Sequence, residues 1–511
     1  MKSLSVLFSD ADDRARAEAG GPPPYFADLN LDQLLDAITI GKENQYLKPF
    51  FLLPLGTKDA IEYRQGIMND VDGKPLLGKL KTFNENFGKV RRSLDRWEKQ
   101  LNMYERRRWL VDAAKFYCSA VRDLQESVHT EYLQSSGLQA FFSYLDDYVK
   151  AQCFRSLEED TARLVSQLKS VRYTLLFQGN RVTVSKYAQE PDFGAEIEET
   201  FEKFKRGAAK DYRSETATWP EMNHVEEAIL EKVVLLFPEE FAALDHFCTK
   251  HAGFVDETIA LFEREIRFYT VYLEFVSSLR SMNLSFCMPQ VSEDWTGILC
   301  RNAFDMALAS KFKAEGKDVV PNDFSLDGNE RVLVVTGPNQ GGKTTFARLF
   351  GQIHHLAALG CPVPASSARI VLFDTIYTHF VKEENTQDLR GKLQDDLLRI
   401  HAILSQATNR SIVLINEIFT STTSSDALLL SRRVLEMIRE SNLVCVWVTF
   451  IDELASFGED TVSMVGTVNP ENPAERTYKI LRNRPNGLAY AKAITEKYRL
   501  TYEKLRERIP S

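Results

Sequence analysis

One stretch limits the folds open to this chain more than any other: "RVLVVTGPNQGGKTTFARLFGQIHHLAAL", residues 331–359. It begins with the apolar run Val332 to Val335 and passes through a loop holding Gly337, Gly341 and Gly342. Phe346, Leu349, Phe350, Ile353 and Leu356 follow at the spacing of one helical face. A buried strand, a glycine loop and an amphipathic helix in that order predict an α/β domain. The loop also predicts chemistry. Glycines let the backbone curl until successive N–H groups point at one anion. A helix N-terminus adds partial positive charge. Lys343 and Thr344 fall where a phosphate-binding loop needs an ammonium for the β- and γ-phosphates and a hydroxyl for Mg²⁺. The expected nucleotide contacts are Gly337, Pro338, Asn339, Gln340, Gly341, Gly342, Lys343, Thr344 and Thr345, with ATP and Mg²⁺ as ligands.

Hydrolysis needs more: a carboxylate near the metal and a group to orient the attacking water. "SIVLINEIFTSTTSSDA", from Ser411, supplies an apolar strand ending in Asn416 and Glu417. Glu417 is the candidate general base, catalytic together with Lys343; the alternative is a solvated charge at a strand end. Asn416 is the second candidate on the metal side. Its amide oxygen is neutral, so its Coulomb help to a cation is weaker than that of an aspartate.

The surroundings agree with an α/β reading. Val332–Val335, Ile370–Phe373, Ile412–Ile415 and Val444–Thr449 are strand candidates, alternating with helix candidates 343–359, 392–406 and 425–441. Before Pro289 the pattern is different. No proline occurs from residue 76 to 190, and apolar and charged residues mix there at helical spacing. The exception is "RYTLLFQGNRVTVSKY", residues 172–187, which reads as a β-hairpin around Gly179-Asn180. Helical character resumes near Ala195 and lasts to about residue 285. The expected division is a tail over 1–24, a helical region over 25–290 and an α/β domain over 291–511.

Composition excludes several classes. With 511 residues the chain has room for two to four domains, and no apolar run approaches the length of a membrane span. Seven cysteines, an odd number with no CxxC pair, predict buried free thiols in a reducing, cytoplasmic setting. His354 and His355 read as packing residues. A net charge of −9 excludes a protein that coats nucleic acid through global charge. A local basic stripe remains open. Lys89, Arg91, Arg92, Arg96, Lys99, Arg106, Arg107 and Arg108 either contact DNA phosphates or form a solvated helix face balanced by Asp95, Glu98 and Glu105. Arg172, Arg181, Lys186, Lys203, Lys205 and Arg206, on and after the hairpin, are a second candidate. No base-reading motif is visible, so DNA binding of either kind is expected to be directed by backbone or shape.

"TGPNQGGKTTF" followed by "LINEIFTSTTSSDA" resembles the MutS family of DNA mismatch-repair ATPases, a branch of the ABC ATPases. "NGLAYAKAITEKYRLTYEKL", near the C-terminus, resembles the family's closing segment, in which helices pack across a dimer. "YLKPFFLLPLGTKDAIEYRQ", residues 46–65, looks like the opening of the family's core domain. The resemblance implies a multidomain fold: a mostly helical core and lever region with a small clamp-like hairpin, then an α/β P-loop ATPase domain of ABC type. It implies a homodimer joined through the ATPase domains. Because the core-like phrase begins by residue 46, the mismatch-reading and connector domains are expected to be absent. Three departures bear on hydrolysis. Asn416 stands for the family's aspartate, and Phe450, after Thr449, stands for its phosphate-sensing histidine. The signature expected in "TQDLRGKLQDDLLRI" lacks a serine; Arg390 or Lys392 either places a cation on the partner's nucleotide or belongs to an ordinary solvated helix start. Two functions follow. One is an ATPase dimer acting on mismatched, branched or damaged DNA; the other is a slow, nucleotide-switched module that binds a protein partner.

Overall fold

Residues 4–128, 132–190, 222–380, 391–469, 475–484, 500 and 502–508 are described by the structure, a computed structural model. The chain falls into two compact units that do not follow it in two blocks. One comprises residues 1–80, 131–141 and 261–511; the other comprises 81–130 and 142–260.

The second unit is helical. It takes in most of α5 (Pro75–Lys99), α6 (Met103–Val128), most of α7 (Ser136–Lys150), α8 (Gln152–Ser170), α9 (His224–Leu236) and α10 (Pro238–Lys250). Leu110, Ala114, Tyr117, Val121 and Leu124 recur every three or four residues along α6 and are all buried, the stripe that makes a helix pack. The hairpin forms as expected from β1 (Tyr173–Gln178) and β2 (Arg181–Lys186), with Leu175 opposite Val184 and Phe177 opposite Val182. Helical character expected from Ala195 lies outside the described residues as far as residue 221.

The first unit carries two sheets. In the larger, β12 (Arg476–Arg482), β11 (Thr461–Val468), β6 (Val332–Thr336), β10 (Val444–Val448), β9 (Ile412–Asn416) and β8 (Ile376–His379) lie side by side in that order. All neighbours are parallel except the β11–β12 pair. β6, β9 and β10 are buried at every residue, which is why they appear in the sequence as continuous, mainly apolar runs without polar alternation. Helices α13 (Lys343–Ala358), α14 (Lys392–Gln406) and α15 (Ser424–Glu440) stand where the helix candidates were placed. The strand candidate Ile370–Phe373 differs. β7 spans Ser367–Val371 and belongs to a separate sheet, ordered β3 (Gln290–Ser292), β7, β4 (Ile298–Ala303), β5 (Asn322–Leu326). An apolar run announces burial but does not name the strand it pairs with.

The N-terminal stretch packs part of its length into the first unit. Val6, Leu7 and Phe8 are buried, and α1 (Ala11–Ala19) follows. Ser5 and the Val6 and Leu7 N–H groups all donate to the Glu265 carboxylate, on α11 (Glu257–Arg280). Further along, residues 25–55 line the back of α13. Arg348 Nε donates to Asp28 O at 3.0 Å, Gln352 Nε2 donates to Leu29 O at 2.9 Å, and His355 lies between Tyr25 Oη and Phe51 O. Burial pushes His354 and His355 down to about 4, so both are neutral packing residues. The thiols are all free, but Cys153 is exposed and Cys248 and Cys287 are half-buried, a correction to the expectation of burial throughout.

Candidate functional site

The site is built from the loop between β6 and α13. The chain turns at Gly337, where φ is +126°. A Cβ there would stand 2.9 Å from the backbone N of Gly466 on β11, so the neighbouring strand admits only glycine. Gly341 N donates to Pro338 O, Gln340 adopts a φ of +59°, and Arg476 Nε on β12 donates to Asn339 O at 3.1 Å. Gly342, with φ +92°, is the N-cap of α13, and no side chain caps the helix. Its first N–H groups are therefore available to an anion.

Lys343, the first residue of that helix, is 4% exposed. Its ammonium donates to Gly337 O at 3.0 Å and to Pro338 O at 3.1 Å. Glu417 Oε1 lies 4.0 Å away, and the centroid of the Phe450 ring 4.1 Å away. Burial pulls the Lys343 pKa below the ordinary lysine range, while the Glu417 charge opposes the shift. Thr344 Oγ1 donates to Asn416 Oδ1 at 3.1 Å, so the hydroxyl and the amide expected to share a cation are neighbours. Glu417 begins a turn in which both it (φ +56°) and Phe419 (φ +62°) are left-handed.

Gln340, Lys343, Thr344, Thr345 and Glu417 line a cavity of about 670 Å³. Its other wall was not foreseen: Leu308 and Phe312 of α12 (Met306–Glu315), Val319, Val320 and Tyr478 are largely apolar and can cover a flat heterocycle. Tyr478 sits on β12 with φ +57°, half exposed, its carbonyl accepting from Asn322 Nδ2 at 3.2 Å. The alternation along "TVSMVGTV" offered a signal for β11; nothing local marks Tyr478.

Other expected residues do not converge here. Lys392 opens α14, but Leu389, Arg390, most of the C-terminal dimer-like segment, and Lys203, Lys205 and Arg206 lie outside the described residues. In the basic stretch several cations are engaged within the helical unit. Arg107 pairs with Asp245, Lys99 with Asp95 at 2.6 Å and Arg108 with Asp112 at 3.5 Å, while Arg96 and Arg106 lie over Trp109 and Trp97. On the hairpin Arg172 and Arg181 are exposed, as are Leu176 and Phe177.

Residues 333–482, which hold this whole loop, match the family model of MutS domain V. The chain is 36% identical over 153 residues to the DNA mismatch repair protein MutS of Erythrobacter litoralis, covering 30% of this chain and 17% of that protein. To the MutS of Zymomonas mobilis it is 37% identical over 140 residues, 27% of this chain and 16% of the other. To the endonuclease MutS2 of Lactococcus lactis it is 33% identical over 152 residues, 30% of this chain and 20% of the other. The aligned stretch thus spans a fifth or less of these relatives. The family match over residues 333–482, together with the likeness of the C-terminal part to MutS and MutS2 proteins alike, marks that part of the chain as MutS-related.

Proposed function

We propose that the chain binds and hydrolyses ATP and, as a dimer joined through its α/β domains, acts on DNA. The observation that carries this reading is the Lys343 ammonium. It is buried, hydrogen-bonded only to carbonyls of its own loop among the described residues, and 4.0 Å from a carboxylate at the cavity wall. An ammonium held there exchanges two carbonyls for phosphate oxygens at little rearrangement. The open N–H groups of α13 add to the same field. Thr344 and Asn416 hold the metal side, and Mg²⁺, when bound, supplies charge neutralisation on the phosphates. Glu417 accepts the proton of the water that attacks the γ-phosphorus, and ADP leaves as the bond to its β-phosphate oxygen breaks. The apolar wall with Tyr478 seats the base. DNA as the target is supported by the names of the relatives, which are mismatch-repair proteins and an endonuclease, and by the exposed Arg172 and Arg181 of the hairpin.

The test is steady-state ATPase activity at low salt, with and without linear, mismatched and branched duplexes. Stimulation by DNA that disappears in Lys343→Ala supports the reading. Absence of DNA binding below about 50 mM salt sinks the DNA part, because phosphate contacts are strongest there. Asn416→Asp places a charge beside Thr344 and is expected to tighten the Mg²⁺ dependence of turnover. An unchanged Mg²⁺ titration means that residue 416 does not face the metal.

A second reading, a slow ATPase that switches binding to a protein partner, is favoured by one observation. Phe450 presents a ring, with no polar atom, to the Lys343 ammonium, and Asn416 is neutral. ATP binding with slow turnover that no DNA stimulates is its expected signature.

A further inference from the structure

The Glu417 turn is held from two sides, and the second holder belongs to another helix. Glu417 N donates to Val448 O of β10 at 2.9 Å. Two residues on, Phe419 N donates to Asp396 Oδ2 at 3.2 Å. Asp396 lies in the second turn of α14, 6% exposed. Its other oxygen, Oδ1, stands 3.2 Å from Nε2 of His379, the wholly buried last residue of β8. His379 and the Phe419 N–H hold the Asp396 carboxyl below the usual carboxylate range against the opposing effect of burial. Left-handed backbone at Glu417 and Phe419 costs free energy that the surroundings must offset. Both Ile418 and Phe419 are buried, so the turn cannot relax by exposing its side chains. A shift of α14 or loss of Asp396 moves the turn, and with it the Glu417 carboxylate at the cavity.

We propose that Asp396, with His379 behind it, is a positioning residue that fixes the Glu417 turn to α14, so that the placement of the general base depends on where that helix lies. This rests on the reading of Glu417 as the base. Neither Asp396 nor His379 lines the cavity, so removing them should leave nucleotide affinity in place.

The experiment compares the full chain with Asp396→Ala, Asp396→Asn, His379→Gln and Glu417→Gln, measuring kcat and KM for ATP and the binding of a fluorescent ATP analogue. Misplacement of a reacting group by about 1 Å can cost on the order of 10²-fold. Asp396→Ala should therefore lose about 10- to 100-fold in kcat, with KM and analogue affinity changed by less than about threefold. Asp396→Asn keeps an oxygen for the Phe419 N–H and should recover most of the rate; His379→Gln should fall between. Combining Asp396→Ala with Glu417→Gln should cost no more than Glu417→Gln alone. A wild-type kcat in Asp396→Ala, while Glu417→Gln is inactive, overturns the inference and leaves the function standing. So does a loss of analogue binding equal to the loss of rate in both Asp396 variants, which marks a structural role. Full hydrolysis in Glu417→Gln removes the base, and the inference goes with it.

Discussion

Glu417→Gln is expected to lower ATP hydrolysis by about 10²- to 10⁴-fold, the usual share of a general base, while nucleotide binding persists. Glutamine has the shape of glutamate and both accepts and donates hydrogen bonds, but it cannot take a proton from water at neutral pH. The left-handed turn that begins at residue 417 is built by backbone contacts, from Glu417 N to Val448 O and from Phe419 N to Asp396, and these survive the change. What the site loses is the attraction of a partly exposed carboxylate 4.0 Å from the Lys343 ammonium, worth at most about 1 kcal/mol to the protein when solvent reaches the pair and nothing to an anionic nucleotide. The variant should hold ATP without turnover and elute as a dimer with ATP and Mg²⁺ on a sizing column. A wild-type rate would show that Glu417 is only a charge beside Lys343. A monomer in the presence of ATP counts against a nucleotide site shared between two subunits.

The second large effect is on stability and lies far from the cavity. Glu265 is completely buried and accepts from Ser5 Oγ at 2.8 Å, Val6 N at 2.7 Å and Leu7 N at 3.1 Å. Arg14 Nη2 lies 3.7 Å from its other oxygen. Glu265→Ala strands these donors in an apolar setting, at about 1–3 kcal/mol for each buried group left unsatisfied. A total loss of about 3–5 kcal/mol is expected in urea denaturation. Limited proteolysis should cut the stretch before α1 sooner than in the wild type. Arg64 makes the arrangement brittle, since its buried guanidinium donates to Leu7 O at 2.8 Å and to Leu359 O at 3.3 Å. The pH dependence has a definite sign. Burial raises the Glu265 pKa above the ordinary value, so its folded carboxyl binds a proton that the unfolded one has released. Its contribution is full below about pH 4.3 and declines as pH rises through the raised value. The stability gap between wild type and Glu265→Ala should narrow over that interval. A gap below about 1 kcal/mol at every pH would mean that the N-terminal stretch is held by its apolar side chains alone.

Where the signal was local, the sequence could be read closely. β6, the glycine loop and α13 follow one another within 27 residues, and each announces itself: an apolar run, residues suited to left-handed backbone, and a helical face. The hairpin was equally plain from its β-formers around Gly179-Asn180. The burial of Val6, Leu7 and Phe8 was not legible because three apolar residues ahead of an acidic run carry no period. Their burial is decided by a carboxylate about 260 positions away. Tyr478, Asp396 and His379 escaped for the same reason, since each is an ordinary residue in an ordinary element until a distant segment is laid against it.

The sequence by itself determined the order of strand, loop and helix, and it put forward Lys343, Thr344, Asn416 and Glu417 as candidates. The element order follows from backbone preferences and side-chain periodicity acting over a few residues, while the MutS resemblance rests on the spelling of the two motifs. Only the tertiary structure decided that the Lys343 ammonium rests on its own loop beneath the Phe450 ring, that Tyr478 closes the far wall, and that the Glu417 turn hangs from α14. Those depend on which groups are desolvated together, and desolvation is set by neighbours that stand as far as hundreds of residues apart along the chain.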